Sequence, residues 1–270
     1  MRVLMVVMLL FGILNAESRE ALLIGNSDYE HMSELNNPSS NLKRLKKVLK
    51  SLDFKVQIEM NLKSKEMYET IEKFQNRLAN NRKNIGFLYY TGHGCQVNNQ
   101  GYLIPINVDT TKKLDIKYDA LNINKMLEKF DEAGNRVNMF FLDACRDVAM
   151  GTKGGTKGLG QLTDTQKGSL IVYATKAGQV AQDNNKFVNS LIDNLNQPNQ
   201  NVRDMAYNIS DSVAENTSGN QIPVVFATWL PKVVLKVDKL RVGTSSINKE
   251  SENIIIPDIP EEFFSDGYNN

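Results

Sequence analysis

The sequence predicts an α/β fold with a largely parallel sheet and helices on both of its faces. Short apolar runs alternate with amphipathic segments over roughly 215 residues, the pattern of strands joined by crossover helices. The apolar runs show little alternation with polar residues, as expected for strands that are buried on both faces. No segment recurs at the period of about 20–50 residues that marks solenoid proteins.

Each element has its own local signal. Helix 38–50 follows a turn-like Asn-Asn-Pro-Ser and carries Leu42, Leu45 and Leu49 on one face. Ser64 is expected to cap the next helix. The predicted strands are 20–25, 54–58, 85–90, 137–142, 170–174, 224–230 and 233–237. The predicted helices are 38–50, 64–78, 118–130, 186–195 and 202–215.

Composition narrows the function classes. The 270 residues include 32 Lys and Arg against 31 Asp and Glu, and this balance argues against a general nucleic-acid binder. Two cysteines are too few for a disulfide framework or a structural zinc site. The length allows one large domain or two small ones.

The first sixteen residues form a predicted signal peptide. Arg2 precedes the apolar run Val3 to Leu14, and Ala16 offers a small residue for cleavage, although Leu14 fits such a site imperfectly. A membrane anchor and a buried first strand are the alternatives. As a helix this run rises about 18 Å, short of the roughly 30 Å hydrocarbon core. We therefore expect export to the periplasm or the exterior, with no stable membrane insertion after cleavage.

The predicted domain organisation follows from these boundaries. Residues 1–16 are the signal peptide and residues 17–238 are the α/β domain. Residues 239–270 are an acidic tail with six acids, three bases and no periodic apolar face, which predicts loose order.

Two predicted strands end in side chains that can do chemistry. The strand 85–90 leads into His93, which lies between Gly92 and Gly94, and the strand 137–142 leads into Asp143 and Cys145. Functional groups gather at the carboxyl ends of strands in open α/β sheets. If the two strands are neighbours, a thiol lies beside an imidazole that can take its proton. Taken singly, each residue has a plainer interpretation, a buried core thiol or a hydrogen-bonded loop histidine.

These strand ends resemble a known family. Tyr89-Tyr-Thr-Gly-His-Gly94 and Leu142-Asp-Ala-Cys-Arg-Asp147 look like the two catalytic signatures of caspase-like cysteine peptidases (peptidase family C14), above all the bacterial metacaspase or orthocaspase type. His93 precedes Cys145 by 52 residues, near the caspase spacing of about 50. Further matches are Leu23-Ile-Gly-Asn-Ser-Asp-Tyr29, Leu35-Asn-Asn-Pro38, Gly101-Tyr-Leu-Ile-Pro-Ile106 and Ser169-Leu-Ile-Val-Tyr-Ala-Thr175. The resemblance covers roughly residues 20–237.

The resemblance implies a fold, a reaction and a set of roles. The fold would be a caspase-like sandwich around a mostly parallel six-stranded sheet. His93 would be the general base, Cys145 the nucleophile, and the N–H groups of Gly94 and Cys145 the oxyanion hole. The implied partner is a protein or peptide substrate. No cofactor or metal is predicted; some metacaspases depend on calcium, but the sequence contains no D-x-D-x-D-G loop of EF-hand type.

Specificity is predicted from Asp143 and Asn41. In metacaspases, an Asp two residues before the nucleophile binds a basic side chain at P1, the residue before the cleaved bond. Animal caspases instead bind an acidic P1 with arginines, and this chain has no Arg or Lys between Ile24 and Leu42. The resemblance therefore implies cleavage after Arg or Lys. Asn41 stands where metacaspases have a second acid, which leaves the strength of that preference open.

The remaining residues of interest lie close to the predicted nucleophile. A glycine-rich segment, 151–158, contains Lys153 and Lys157, two candidate sites of self-cleavage. Cys95 is either an ordinary loop residue or the partner of Cys145 in a regulatory disulfide.

Three functions are therefore compared. An exported cysteine endopeptidase is favoured by the presence of both His93 and Cys145. A caspase-like interaction module with an unused cleft is favoured only by Asn41. A thiol redox protein is disfavoured because no C-x-x-C motif is present.

Overall fold

The computed structural model describes residues 17–98, 100–144, 147–148, 168–176, 185–227 and 229–238. The first elements in chain order are β1 (Arg19–Gly25), α1 (Pro38–Ser51), β2 (Phe54–Met60), α2 (Ser64–Ala79), β3 (Ile85–Gly92), β4 (Gly94–Val97), β5 (Gln100–Leu103) and α3 (Lys113–Asp119). The others are β6 (Leu121–Asn122), α4 (Ile123–Glu132), β7 (Val137–Ala144), β8 (Asp147–Val148), β9 (Ser169–Tyr173), α5 (Lys186–Leu195), α6 (Val202–Asn216) and β10 (Val224–Ala227).

A six-stranded sheet forms the centre of the domain. Its strand order is β10-β9-β7-β3-β1-β2, and every pairing is parallel except that of β10 with β9. Buried side chains of α1, α5 and α6 pack on one face, while those of α2 and α4 pack on the other. The predicted α/β class and the caspase-like sandwich with helices on both faces are confirmed.

The two central strands, β3 and β7, explain why the sheet is so well buried. All eight residues of β3 are buried, and β7 is buried up to Leu142. Successive side chains point to opposite faces, so Phe87 and Phe141 lie under α1 and α5, where their rings stack at 4.9 Å. Because both strands run continuously apolar, their burial on both faces follows from the sequence pattern.

A second, four-stranded sheet was not predicted. Its order is β6-β5-β4-β8, and its longest strands have four residues. Strands this short leave no periodic pattern in the sequence. Their effect on the site is large, since β4 begins at Gly94 and so turns the chain immediately after His93.

Three other predictions are wrong in detail. The predicted helix 118–130 is interrupted by β6, because Asn122 leaves helical geometry to cap α4, its Oδ1 accepting the Lys125 N–H at 3.1 Å. Ser64 is the first residue of α2 and not its cap; the carboxylate of Glu66 accepts the N–H of the capping residue, Lys63, at 3.0 Å. The predicted strand 233–237 contributes one bridge, between Val234 and Asn201.

Several predictions lie outside the described residues. These are the signal peptide 1–16, the candidate self-cleavage sites Lys153 and Lys157, and the tail 239–270. In the part of the chain that the structure describes, no helix is long and apolar enough to cross a membrane.

Candidate active site

The carboxyl ends of β3 and β7 lie side by side. The two strands pair in parallel, with Thr91 opposite Asp143 and Gly92 opposite Ala144. His93 and Cys145 are the residues that follow this last pair. Cys145 lies outside the described residues, so the site is described from the histidine side and from the strand that leads to the cysteine. The two strands are therefore neighbours in the sheet, which is the condition on which the predicted dyad depended.

The ring of His93 is fixed by the loop between β1 and α1. Its Nε2 lies 2.9 Å from the carbonyl oxygen of Ser33. A carbonyl oxygen has no hydrogen to give, so Nε2 is the donor and carries the proton in the neutral ring. Nδ1 is therefore the basic nitrogen. The ring of Tyr29 packs against the imidazole at a centroid distance of 4.5 Å, which further restricts its rotation.

Two tyrosine hydroxyls hold the backbone of His93. The hydroxyl of Tyr29 accepts the His93 N–H at 2.7 Å, and the hydroxyl of Tyr90 donates to the His93 carbonyl at 2.8 Å. The same carbonyl accepts the N–H of Ile104 at 3.0 Å. Burial, followed by the proximity of Tyr29, raises the pKa of Tyr90 well above its usual value, so this phenol stays protonated as a donor. We call Tyr29 and Tyr90 the tyrosine clamp.

Gly92 makes room for the tyrosine clamp. A Cβ at this position would lie 2.6 Å from the hydroxyl oxygens of both Tyr29 and Tyr90, closer than real Cβ contacts. Any other residue would therefore force the clamp away from His93. The first glycine of the Thr-Gly-His-Gly motif is thus needed because it lets two tyrosine side chains come close to the backbone.

Gly94 begins β4 in a defined orientation. Its neighbour His93 accepts the N–H of Ile104 across the β4–β5 ladder, and Gly94 is opposite Leu103. Because hydrogen bonding alternates along an antiparallel pair, the N–H of Gly94 is directed away from β5.

Two asparagine side chains hold the loop that carries Ser33. Asn26 is fully buried; its Nδ2 donates to the Ile104 carbonyl at 3.1 Å and its Oδ1 accepts the Leu62 N–H at 3.0 Å. Asn61 uses its Oδ1 to accept the N–H of Ser27 at 2.8 Å. These bonds fix the start of the loop on the sheet, so the Ser33 carbonyl is presented to His93 by a supported segment.

Asp143 has a buried donor. Its Oδ2 accepts the hydroxyl of Tyr89 at 2.8 Å, and Tyr89 is fully buried in the core under α1 and α5. Burial first, and the Asp143 charge second, raise the pKa of Tyr89 well above its usual value. The phenol therefore stays protonated and points its hydrogen at the carboxylate.

The sequence profile of the caspase domain (peptidase C14) matches residues 18–235, which include both strand ends described above. The chain belongs to the caspase domain family. The domain is of the cysteine-peptidase type, as the resemblance of the two motifs implied.

Individual relatives agree with the family match. The human mucosa-associated lymphoid tissue lymphoma translocation protein 1 is 30% identical over 131 residues, which are 48% of this chain and 15% of that protein. Caspase-1 of Rattus norvegicus is 25% identical over 134 residues, 50% of this chain and 32% of that protein. Caspase-1 of Mus musculus is 24% identical over 144 residues, 53% of this chain and 35% of that protein. The alignments thus span only a minor part of each curated relative.

Asn41 of this caspase domain is tied to a second helix. It lies in the first turn of α1, is only 3% exposed, and donates through Nδ2 to Oδ1 of Asn185 at 2.8 Å. Asn185 precedes α5 with a positive φ of 59°. The Oδ1 of Asn41 is buried and has no hydrogen-bond partner among the described residues. The amide nitrogen of Asn41 is thus bonded within the fold. The amide oxygen of Asn41 is the atom that could accept a hydrogen bond from another donor.

Cys95 has the environment of a core thiol. It lies in β4 within a small apolar cluster, is buried, and is a free thiol. Burial raises its pKa to about 12, so the thiol is protonated near neutral pH. Cys95 therefore lies in a strand and not in a loop as predicted. A regulatory disulfide with Cys145 stays a prediction, because Cys145 lies outside the described residues.

The sequence reasoning missed the residues that support His93. Tyr29 and Tyr90 stand in the quoted motifs but were given no role, and the Ser33 carbonyl has no sequence signature at all. One signal was available: a buried tyrosine at a strand end needs a partner for its hydroxyl. Among the described residues, no group of three or more His, Cys, Asp or Glu side chains could hold a metal ion.

Proposed function

We propose that this caspase domain is an active cysteine endopeptidase in which His93 and Cys145 form the catalytic dyad. The observation that carries the proposal is the in-register pairing of Gly92 with Ala144, from which the two residues follow directly. The hydrogen bond from Nε2 to the Ser33 carbonyl supports it, because it leaves Nδ1 as the nitrogen that can accept a proton.

The reaction would proceed in two halves. The Cys145 thiol gives its proton to Nδ1 of His93, and the sulfur attacks the scissile carbonyl carbon. The tetrahedral intermediate then collapses, the imidazolium protonates the departing amine, and a thioester remains. Water, deprotonated by His93, attacks the thioester, releases the carboxylic acid and restores the thiol.

Two features would stabilise the charges that develop. The Nε2–H of His93 keeps its acceptor at Ser33 when the ring is protonated, so the imidazolium retains a partner. The N–H groups of Gly94 and Cys145 are the proposed donors to the oxyanion. The direction of the Gly94 N–H, away from β5, supports this assignment.

The proposed substrate has Arg or Lys at P1, bound by Asp143. The β1–α1 loop beside His93 has no Arg or Lys that could bind an acidic P1, and its acids Asp28, Glu30 and Glu34 are exposed. Asn41 would contribute its buried Oδ1 as an uncharged acceptor for the P1 side chain. The bacterial metacaspase or orthocaspase type agrees with this specificity.

The test is a comparison of wild-type protein with Cys145→Ala and His93→Ala. Fluorogenic peptides with different P1 residues measure kcat/KM, and intact-mass analysis after brief iodoacetamide treatment measures thiol reactivity. We expect losses of several orders of magnitude in kcat for both variants and fast alkylation of Cys145 that depends on His93. Circular dichroism should show an unchanged fold. A Cys145→Ala protein that keeps more than about a tenth of the activity would exclude the covalent mechanism.

The second candidate is a caspase-like interaction module with an unused cleft. The feature that favours it is Asn41, which replaces the acid expected by resemblance and is bonded to Asn185. This function predicts that Cys145 alkylates slowly and that His93→Ala changes nothing. If the protein preferred to cleave after Asp, the peptidase assignment would stand and the assignment of a basic P1 residue would be excluded.

We further propose that the protein is exported. The apolar run from Val3 to Leu14 and the small residue Ala16 support cleavage between residues 16 and 17. Expression of the full chain in a bacterial host, followed by fractionation and amino-terminal sequencing, tests this. Mature protein that begins at Glu17 outside the cytoplasm is expected, and cytoplasmic protein that retains Met1 would contradict it.

A further inference from the structure

We propose that Tyr89 determines specificity as a positioning residue: its hydroxyl orients the Asp143 carboxylate toward a basic P1 side chain. This inference rests on the proposed function, because it assigns Asp143 to the P1 pocket. Tyr89 itself is too deeply buried to touch a substrate, so it would influence the P1 residue indirectly, through the carboxylate of Asp143.

The geometry that carries the proposal is one hydrogen bond between neighbouring strands. Tyr89 lies on β3 and Asp143 on β7, and the register puts Asp143 beside Thr91, two residues beyond Tyr89. Both side chains are on the sheet face covered by α1 and α5, by the alternation along each strand. The phenol reaches along this face to Asp143, with 2.8 Å between Oη and Oδ2.

The donor is suited to this role because it is neutral and immobile. A lysine or arginine at position 89 would neutralise Asp143 and compete with a P1 cation. The phenol instead donates one hydrogen and leaves the negative charge in place. A carboxylate has acceptor sites on both oxygens, so the bond to Oδ2 orients the group without using all of them. Tyr89 has no room to rotate away, since it is fully buried.

A simpler account is that Asp143 only satisfies a buried tyrosine hydroxyl. The two accounts differ in what Tyr89→Phe should change. The simpler account predicts a loss of stability with equal effects on all substrates. The positioning account predicts a selective loss of the preference for a charged P1 residue over a neutral residue of the same shape.

The experiment uses binding, so that it does not depend on turnover. Two fluorescent peptides, identical except for Arg or citrulline at P1, are titrated against Cys145→Ala protein and followed by anisotropy. Citrulline keeps the length and planarity of Arg and lacks its charge. We expect tighter binding of the Arg peptide, and a fall in that preference of roughly tenfold when Tyr89→Phe is added, the scale of one hydrogen bond to a charged group.

Two further variants make the result specific. Tyr68→Phe is the control, because it removes a hydroxyl of α2 whose hydrogen bond goes to the Ala120 carbonyl, at a distance of 2.8 Å. This variant should keep the preference for Arg. In an Asp143→Asn background the charge is gone, so Tyr89→Phe should have no further effect on the preference. An unchanged preference in Tyr89→Phe, or a further loss in the Asp143→Asn background, overturns the positioning role.

The outcomes separate this inference from the proposed function. If the wild-type protein hydrolysed no peptide, the peptidase assignment would be refuted. The binding preference could still be measured on the Cys145→Ala protein. Turnover with an intact preference in Tyr89→Phe would refute only the positioning role. No preference for Arg in the parent protein would refute both the role of Tyr89 and the basic P1 assignment, and leave the dyad standing.

Discussion

Replacing Gly92 with alanine should damage the site more than it damages the fold. The added Cβ would lie 2.6 Å from the hydroxyl oxygens of Tyr29 and Tyr90 and 2.9 Å from Cζ of Tyr90. To reach an ordinary contact of 3.4 Å, each hydroxyl would have to move by about 0.8 Å. That movement would stretch the bonds of 2.7 and 2.8 Å that hold the backbone of His93.

The size of the effect follows from these contacts. Overpacking a buried site costs about 1–3 kcal/mol, and each weakened buried hydrogen bond adds about 1 kcal/mol. We therefore expect the free energy of unfolding to fall by about 2–4 kcal/mol. Domains of this kind are stable by about 5–15 kcal/mol, so the variant should still fold at room temperature. Its kcat/KM should nevertheless fall by about 100-fold, because small displacements of a catalytic base are costly.

Urea denaturation and peptide hydrolysis measure the two effects separately. Gly86→Ala is the matched control, since its Cβ would lie 2.6 Å from Oδ1 of Asn138 and 2.8 Å from Cδ1 of Leu78, at the opposite end of the same strand. It should lose comparable stability and keep its kcat/KM. Adding Tyr29→Phe to Gly92→Ala removes one of the hydroxyl contacts and should recover stability without recovering activity. Wild-type stability in Gly92→Ala, or an equal loss of kcat/KM in Gly86→Ala, would refute the reasoning.

Two other predictions concern buried polar groups near the site. With its pKa at about 12, Cys95 should be thiolate in only about one molecule in ten thousand at pH 8. Native protein should therefore take up one iodoacetamide label, on Cys145, and unfolded protein should take up two. Intact-mass analysis counts the labels, and rapid double labelling of native protein would contradict the burial of Cys95. Asn41→Asp should lower stability at pH 7 by about 1–3 kcal/mol, because a carboxylate would replace the amide that donates to Asn185. Burial raises the pKa of such a carboxyl in the folded state only, so the folded state binds the extra proton and the loss should shrink as the pH falls. Urea denaturation at pH 5 and pH 7, with wild-type protein as the control, measures this; a loss that is the same at both pH values would show that the position is solvated and contradict the prediction.

Local chemistry in the sequence predicted the large sheet and its helices well. β3 and β7 are continuous apolar runs, and α1 and α2 carry regular apolar faces, so hydrophobic periodicity was enough to find them. The same reasoning failed for strands of two to four residues, such as β6, which are too short to show a period. It also failed where Asn122 ended one helical pattern and capped another.

For the candidate site too, some features could be predicted from the sequence and others could not. The sequence by itself determined that His93 and Cys145 follow apolar strands, because each residue stands within three positions of the end of a continuous apolar run. Only the tertiary structure decided that β3 pairs with β7 in the register that brings these strand ends together. Strand order depends on how whole faces pack, and the residues of one strand do not encode its neighbour.

The supporting hydrogen bonds were decided by the tertiary structure alone. Tyr29 and His93 are 64 positions apart, His93 and Ser33 are 60 apart, and Tyr89 and Asp143 are 54 apart. A hydrophobic face repeats along the chain and so can be recognised in the sequence. A single hydrogen bond between distant groups has no such repeat, and one of these partners is a backbone carbonyl that every residue possesses. The sequence therefore determined which residues can react, and the folded chain determined which atoms orient them.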